Sequence, residues 1–142
     1  VYGSVYGGTQ NAAEILAAKL SEKGVPAVLY DASVTHTSYL VSEAFRYSHL
    51  VFAAATYNND IFTPVETLLT DLKAHALRNR TVGLIQNGSW APQSGKKMRE
   101  ILESMQNMTV LPETVTVRST VKEESLTEID ALCGALIASL RA

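Results

Sequence analysis

Short apolar runs alternate with helical stripes from one end of this 142-residue chain to the other, and few folds tolerate such an alternation. Ala12, Ile15, Leu16 and Leu20 recur at helical spacing, with Lys19 and Lys23 in the last turn and Gly24 as a stop. Pro26 to Tyr30 reads as a short strand, and Tyr39, Leu40, Ala44 and Phe45 as a brief helix. His49 to Ala55 is almost continuously apolar, as expected of a strand covered on both faces. Thr63-Pro64-Val65-Glu66 carries the Thr and Glu of a capping box and a proline suited to a first turn; Val65, Leu68, Leu69 and Leu72 follow as its buried stripe. Thr81 to Gln86 is a further strand, and Met98, Ile101, Leu102 and Met105 a further helix. Met108 to Leu111 is the last strand, with Pro112 suited to a sheet edge. Leu126, Ile129, Leu132, Leu136, Ile137 and Leu140 mark a long terminal helix. Five strands alternating with five helices predict one α/β domain over 1–142. Its open five-stranded parallel sheet has order 2-1-3-4-5 and helices on both faces. Such a sheet binds ligands at the carboxyl ends of its strands. The first strand is expected at the centre, yet only Val1 and Tyr2 precede the first loop, so the natural polypeptide is expected to continue upstream.

That first loop, Gly3-Ser4-Val5-Tyr6-Gly7-Gly8-Thr9-Gln10, is rich in glycine and hydroxyls and leads straight into a helix. Backbone N–H groups at such a junction form a donor cluster suited to a phosphate. Gln10, Asn11, Ala12 and Ala13 carry no carboxylate, which leaves the positive helix end available to a ligand anion. With no lysine the loop is not a Walker A loop, and it lacks dinucleotide G-x-G-x-x-G spacing. Ser4, Tyr6 and Thr9 would add hydroxyls to a neutral monophosphate cradle. A plain strand-to-helix turn is the alternative.

The formal net charge of -2, with lysine and arginine scattered, gives no electrostatic case for nucleic acid or an anionic membrane. No apolar run is long enough to span a bilayer, and no signal-peptide pattern opens the chain. Cys133 is the single cysteine, which excludes an internal disulfide and favours a reducing, cytoplasmic compartment. It stands beside Leu132, Leu136 and Ile137 and reads as a buried structural thiol.

The predicted strand order brings two more loops beside the first, Thr56-Tyr57-Asn58-Asn59 and Asn87-Gly88-Ser89-Trp90. Each carries one aromatic among small polar residues. Tyr57 and Trp90 are placed to flank a flat ring whose phosphate sits on the first loop, and Asn58, Asn59, Asn87 and Ser89 to bond its polar edge. On the alternative reading the aromatics cover the sheet end and the asparagines serve turns.

These three loops together resemble the flavodoxin-like FMN domain of A-type flavoproteins, also called flavodiiron proteins. Gly3-Ser4-Val5-Tyr6-Gly7-Gly8-Thr9 is similar to that family's phosphate loop. Thr56-Tyr57-Asn58-Asn59 with Ile61-Phe62 and Pro64 resembles its second flavin loop, and Asn87-Gly88-Ser89-Trp90-Ala91-Pro92 with Gly95-Lys96 its third. The resemblance covers nearly the whole chain; the motifs are specific as a set and weak singly. Gly8 stands where asparagine is frequent, and Ala55 where proline is common.

By position, the resemblance assigns Ser4, Tyr6, Gly7, Gly8 and Thr9 to the FMN phosphate. It assigns Thr56, Tyr57, Asn58, Asn59, Asn87, Gly88, Ser89 and Trp90 to the flavin ring. It implies an upstream metallo-β-lactamase-like domain with two irons that reduces oxygen or nitric oxide. The FMN would relay electrons to it, commonly across a homodimer, from a rubredoxin-like or flavin-reductase donor. The chain has no His-x-Glu-x-Asp-His cluster, and His36, His49 and His75 are isolated, so no catalytic or metal residue is expected here. A free-standing flavodoxin is the first alternative, although such carriers are often strongly acidic and this chain is nearly balanced. A quinone or FMN reductase would normally carry a different phosphate loop and a longer insertion. A phosphoacceptor domain needs acids where Gly3 and Ser4 stand, and is excluded. Asp60 is the nearest titratable side chain to the three loops.

Overall fold

A computed structural model describes residues 1–3, 7–57, 60–88 and 93–142, with Tyr57 described through its backbone. At the centre lies β2 (His49–Tyr57), the apolar run anticipated above. On one side it pairs in parallel with β1 (Tyr2–Gly3), Tyr2 opposite Ala53 and Gly3 opposite Ala54. On the other it pairs with β4 (Thr81–Asn87) over its whole length, from His49 opposite Thr81 to Ala55 opposite Asn87. The far edge of β4 takes β5 (Thr109–Val110) and β6 (Val115–Val117), both parallel. The expected last strand, Met108 to Leu111, is β5, and the sequence reading did not anticipate β6. Pro112, which has no N–H to give a ladder, lies between them.

The expected second strand, Pro26 to Tyr30, flanks β1 on the outside. Tyr2 N donates to Tyr30 O at 2.9 Å and Ala32 N to Tyr2 O at 2.8 Å. It forms no regular strand, and the pairing beside β1 is a single bridge, Tyr2 to Asp31, at its end. The order 2-1-3-4-5 stands, and so does the flavodoxin-like α/β class.

Residues of β2 and β4 alternate between two cores. Phe52, Ala54, Val82 and Leu84 face α2 (Thr37–Arg46), α3 (Thr63–Ala74) and α4 (Ser94–Glu103), where Leu40, Leu68, Leu69, Leu72, Met98 and Leu102 are buried. Ala53 and Ile85 face α1 (Gly8–Glu22) and α5 (Glu123–Leu140), against Ala12, Leu16, Ile129, Leu132 and Leu136. Cys133 is 1% exposed within this second core, and burial pushes its thiol up from the ordinary value. Leu126 and Leu140, counted in the terminal stripe, lie at the exposed ends of α5. Gly24, in the left-handed region at φ 81, ends α1, and Val25 N returns to Leu20 O at 2.9 Å.

The capping box at Thr63 does not form. A short strand, β3 (Asp60–Ile61), folds back antiparallel on β2 with Ile61 opposite Thr56. Phe62 N then donates to Ala55 O, and Phe62 becomes the N-cap, its carbonyl accepting from Val65 N and Glu66 N. The hairpin delivers the chain one residue early, so Thr63 is already helical. Among the described residues, no helix is long and apolar enough to cross a membrane.

Candidate cofactor site at the carboxyl ends of the strands

The carboxyl ends of β1, β2 and β4 converge as the strand order requires, and α1 starts there. Its N-cap is Gly7, which supplies no side chain, and its first turn holds no acid. The first helical bond among described residues runs from Asn11 N to Gly7 O at 2.9 Å. Helix geometry leaves the N–H groups of Gly8, Thr9 and Gln10 ahead of that bond. The nearest acid, Glu14, is one turn on and accepts from Gln10 Nε2 at 2.8 Å.

Gly8 is held closely. A Cβ there would stand 2.0 Å from Ser119 O, so only glycine allows the turn after β6 to approach α1. Gly3 is similarly confined, by Val65 and Phe62 at the start of α3. Asn87, at the end of β4, ties the same place together. Its Nδ2 donates to Thr9 Oγ1 at 3.0 Å, and its Oδ1 accepts from Ser119 N at 3.0 Å. Thr9 is wholly buried, and its hydroxyl keeps one proton to donate. Gly88 N donates to Val117 O at 3.1 Å.

A second helix, α4, also starts at this edge. Thr56 Oγ1 accepts from Gln93 N at 2.9 Å and Ser94 N at 3.2 Å, and Gln86 Oε1 accepts from Gly95 N at 3.1 Å. Ser94 Oγ donates to Ala54 O at 2.8 Å, and Gln86 Nε2 to Thr116 Oγ1 at 2.9 Å. Thr56, assigned from sequence to the ring, thus acts here as a cap from a neighbouring strand. Asp60 accepts from Ile61 N at 2.8 Å. Beside it, burial first and then the Asp60 charge raise the Glu66 carboxyl above its usual range.

Of the residues read from sequence, the structure brings Gly7, Gly8, Thr9, Thr56, Asn87 and Gly88 to this edge. Ser4, Tyr6, Asn58, Asn59, Ser89, Trp90 and the side chain of Tyr57 lie outside the described residues. Ser119, Gln86 and Ser94 were not anticipated. Ser119 carries no motif; its signature is a backbone one, φ 70 in a residue other than glycine. The histidines make local bonds elsewhere: His36 with Ser38, His49 with Ser48 and Ser139, His75 with the Asp71 carbonyl.

The arrangement is of the doubly wound α/β type, in which helix starts and loops gather at the carboxyl ends of the strands. The flavodoxin profile matches residues 1–135, and the chain belongs to the flavodoxin family. An uncharacterised protein of Methanocaldococcus jannaschii is 25% identical over 126 residues, which make up 89% of this chain and 32% of that protein. Rubredoxin oxygen:oxidoreductase from Desulfovibrio gigas superposes with a TM-score of 0.86 at 24% identity, over 99% of this chain and 36% of that one. A flavodoxin from Streptococcus pneumoniae gives 0.83 at 18%, over 97% of this chain and 95% of that one. The chain thus spans about a third of the curated relative it matches.

The family binds FMN and serves electron transfer, and this is a flavodoxin-type FMN electron-transfer domain. The donor chemistry fits that cofactor: a glycine cap and an uncharged first turn suit a phosphoester, where a carboxylate would repel it.

Proposed function

We propose that this chain is the electron-relay domain of a flavodiiron-type protein, in the same polypeptide as an upstream domain that holds two irons and reduces oxygen or nitric oxide. The observation that carries it is the pairing of a flavodoxin fold with relatives about three times as long, this chain spanning 32% and 36% of the first two. The near-balanced charge agrees with it, since a docked domain needs less charge steering than a diffusing carrier. Bound FMN supplies one- and two-electron exchange with a donor and an acceptor. The residues of this chain bind and orient it: Gly7, Gly8 and Thr9, with Ser4 and Tyr6, hold the phosphate. Thr56, Tyr57, Asn58 and Asn59 on one side and Asn87, Gly88, Ser89 and Trp90 on the other frame the ring. No acid–base group is needed, and none is assigned. Electrons arrive from a rubredoxin-like or flavin-reductase protein in the cytoplasm, and the relay crosses a homodimer interface.

A free-standing carrier is the second reading, favoured by the flavodoxin of Streptococcus pneumoniae, which this fold matches over nearly that whole protein. The two part on one measurement. With a rubredoxin-like donor, the natural polypeptide should consume oxygen or nitric oxide rapidly, while residues 1–142 carrying FMN accept electrons and consume neither. Equal consumption by both sinks the relay.

A further inference from the structure

The hydrogen bonds that end on Thr9 run in one direction, and a single backbone group sets it. Ser119 N can only donate, so the Asn87 atom 3.0 Å from it is the oxygen, Oδ1. The nitrogen Nδ2 must then face Thr9, and it lies 3.0 Å from Oγ1. An amide NH2 can only donate as well, so the Thr9 hydroxyl accepts and its own proton is turned away from Asn87. Among the described residues nothing accepts that proton, although Thr9 is wholly buried. A buried donor without a partner is costly, so the hydroxyl favours any acceptor that enters beside it. Asn87 is itself buried, and its place in β4 explains its reach. Side chains alternate along a strand: Gln86 turns to α4, whereas Asn87 turns with Ile85 to the α1 side. Gly8 lies in the same corner, where an added Cβ would stand 3.1 Å from Asn87 Nδ2.

We infer that Asn87 is a positioning residue for the phosphate: besides its proposed place beside the ring, it fixes the Thr9 hydroxyl as a donor and so makes the site prefer FMN to a flavin without phosphate. This role rests on the proposed seating of the phosphate at Gly7, Gly8 and Thr9. A hydroxyl that donates to a phosphate oxygen makes a charge-assisted bond, stronger than one between neutral groups. Asparagine suits the position because it accepts on one side and donates on the other without a charge. An aspartate would accept on both sides. It would keep the Ser119 bond, draw the Thr9 proton inward and set a negative charge beside the phosphate.

Titration of the cofactor-stripped natural polypeptide with FMN and with riboflavin, read by flavin fluorescence, tests it. The parent should prefer FMN, and Thr9→Val should cut that preference by about tenfold, as loss of one hydrogen bond to a charged group implies. Asn87→Asp should weaken FMN by about a hundredfold or more and riboflavin by less than about threefold. Lowering the pH should restore FMN binding relative to the parent at the same pH, because the protonated carboxyl again donates to Thr9. Added to Thr9→Val, the aspartate should cost FMN affinity at least about threefold less than it does alone. Equal costs in the two backgrounds mean that the charge alone acts, and overturn the inference. Equal loss of FMN and riboflavin leaves Asn87 to the ring only and overturns it too. If Thr9→Val lowers the preference for FMN and Asn87→Asp does not, the inference falls and the phosphate seat stands. If Thr9→Val leaves the preference intact, the seat falls and the inference with it. Should Asn87→Asp fail to fold, Asn87→Leu decides without a charge: FMN weakened by about fivefold with riboflavin unchanged supports the role, and an unchanged preference overturns it.

Discussion

Two helices begin at the same edge of the sheet, α1 and α4, and neither carries an acid in its first turn. Among the described residues, side chains accept from the first turn of one of them and not of the other. Around α4, Thr56 and Gln86 reach over from the strands and accept three N–H groups. At α1 the cap is a glycine, and the Asn87 side chain that comes nearest bonds the Thr9 hydroxyl and the Ser119 amide rather than the helix end. Helix-end electrostatics are alike in the two. What distinguishes the two among the described residues is whether the strands supply the acceptors. A third helix, α3, sharpens the point, since its first turn holds its own acid, Glu66.

Gln10→Asp should break the contrast most. Gln10 is exposed in the first turn of α1, where a carboxylate favours the helix end but faces Glu14 in place of the present hydrogen bond, so stability without FMN should change by less than about 0.5 kcal/mol. The same charge repels a phosphate, and flavin titration should show affinity falling at least about a hundredfold. Unchanged affinity would mean that α1 does not seat the anion. Thr56→Val is the mirror experiment. It strips two N–H groups at α4 of their acceptor and should cost about 1–2 kcal/mol in urea unfolding of the FMN-free protein. If stability holds while FMN affinity drops, Thr56 is a ring ligand rather than a cap. Trp90→Ala should weaken FMN by about tenfold or more, taking stacking at about 1–3 kcal/mol per ring. Trp90 is the sole tryptophan, so quenching of its fluorescence on FMN binding checks the contact directly. Glu66→Gln has the smallest effect. With its folded carboxyl raised, Glu66 opposes folding once pH climbs above the ordinary value of 4.5, and does so fully above its raised value. The glutamine variant should therefore melt slightly higher than the parent at pH 7 and alongside it at pH 3.5, as read by thermal scans at both.

What could be read from the sequence follows the range of the forces involved. The apolar run from His49 and the stripe Val65, Leu68, Leu69, Leu72 announce a central strand and a packed helix, because burial is written locally as periodicity. The glycine and the missing acids at the start of α1 are local in the same way. Thr56 and Gln86 were not legible as caps. The groups they serve are 37, 38 and 9 residues away, and only the completed sheet brings them together. The capping box at Thr63 failed at shorter range. Its four residues fit the pattern, but the β3 hairpin decides where the chain turns, and Phe62 takes the cap. Ser119 is the extreme case: its place against Gly8 is a backbone contact, which no side-chain pattern records.

Cys133 offers a consequence of a different kind. It is the one thiol of the chain, and it sits at 1% exposure between α5 and the sheet, with its ionisation suppressed by burial. A thiol reagent can reach it only when α5 lifts away. Its labelling rate is therefore a clock for opening of that layer, built into the natural sequence and legible by mass. Run with and without FMN, the same clock reports how far the bound cofactor steadies the layer of α1 and α5, with no substitution made in either helix.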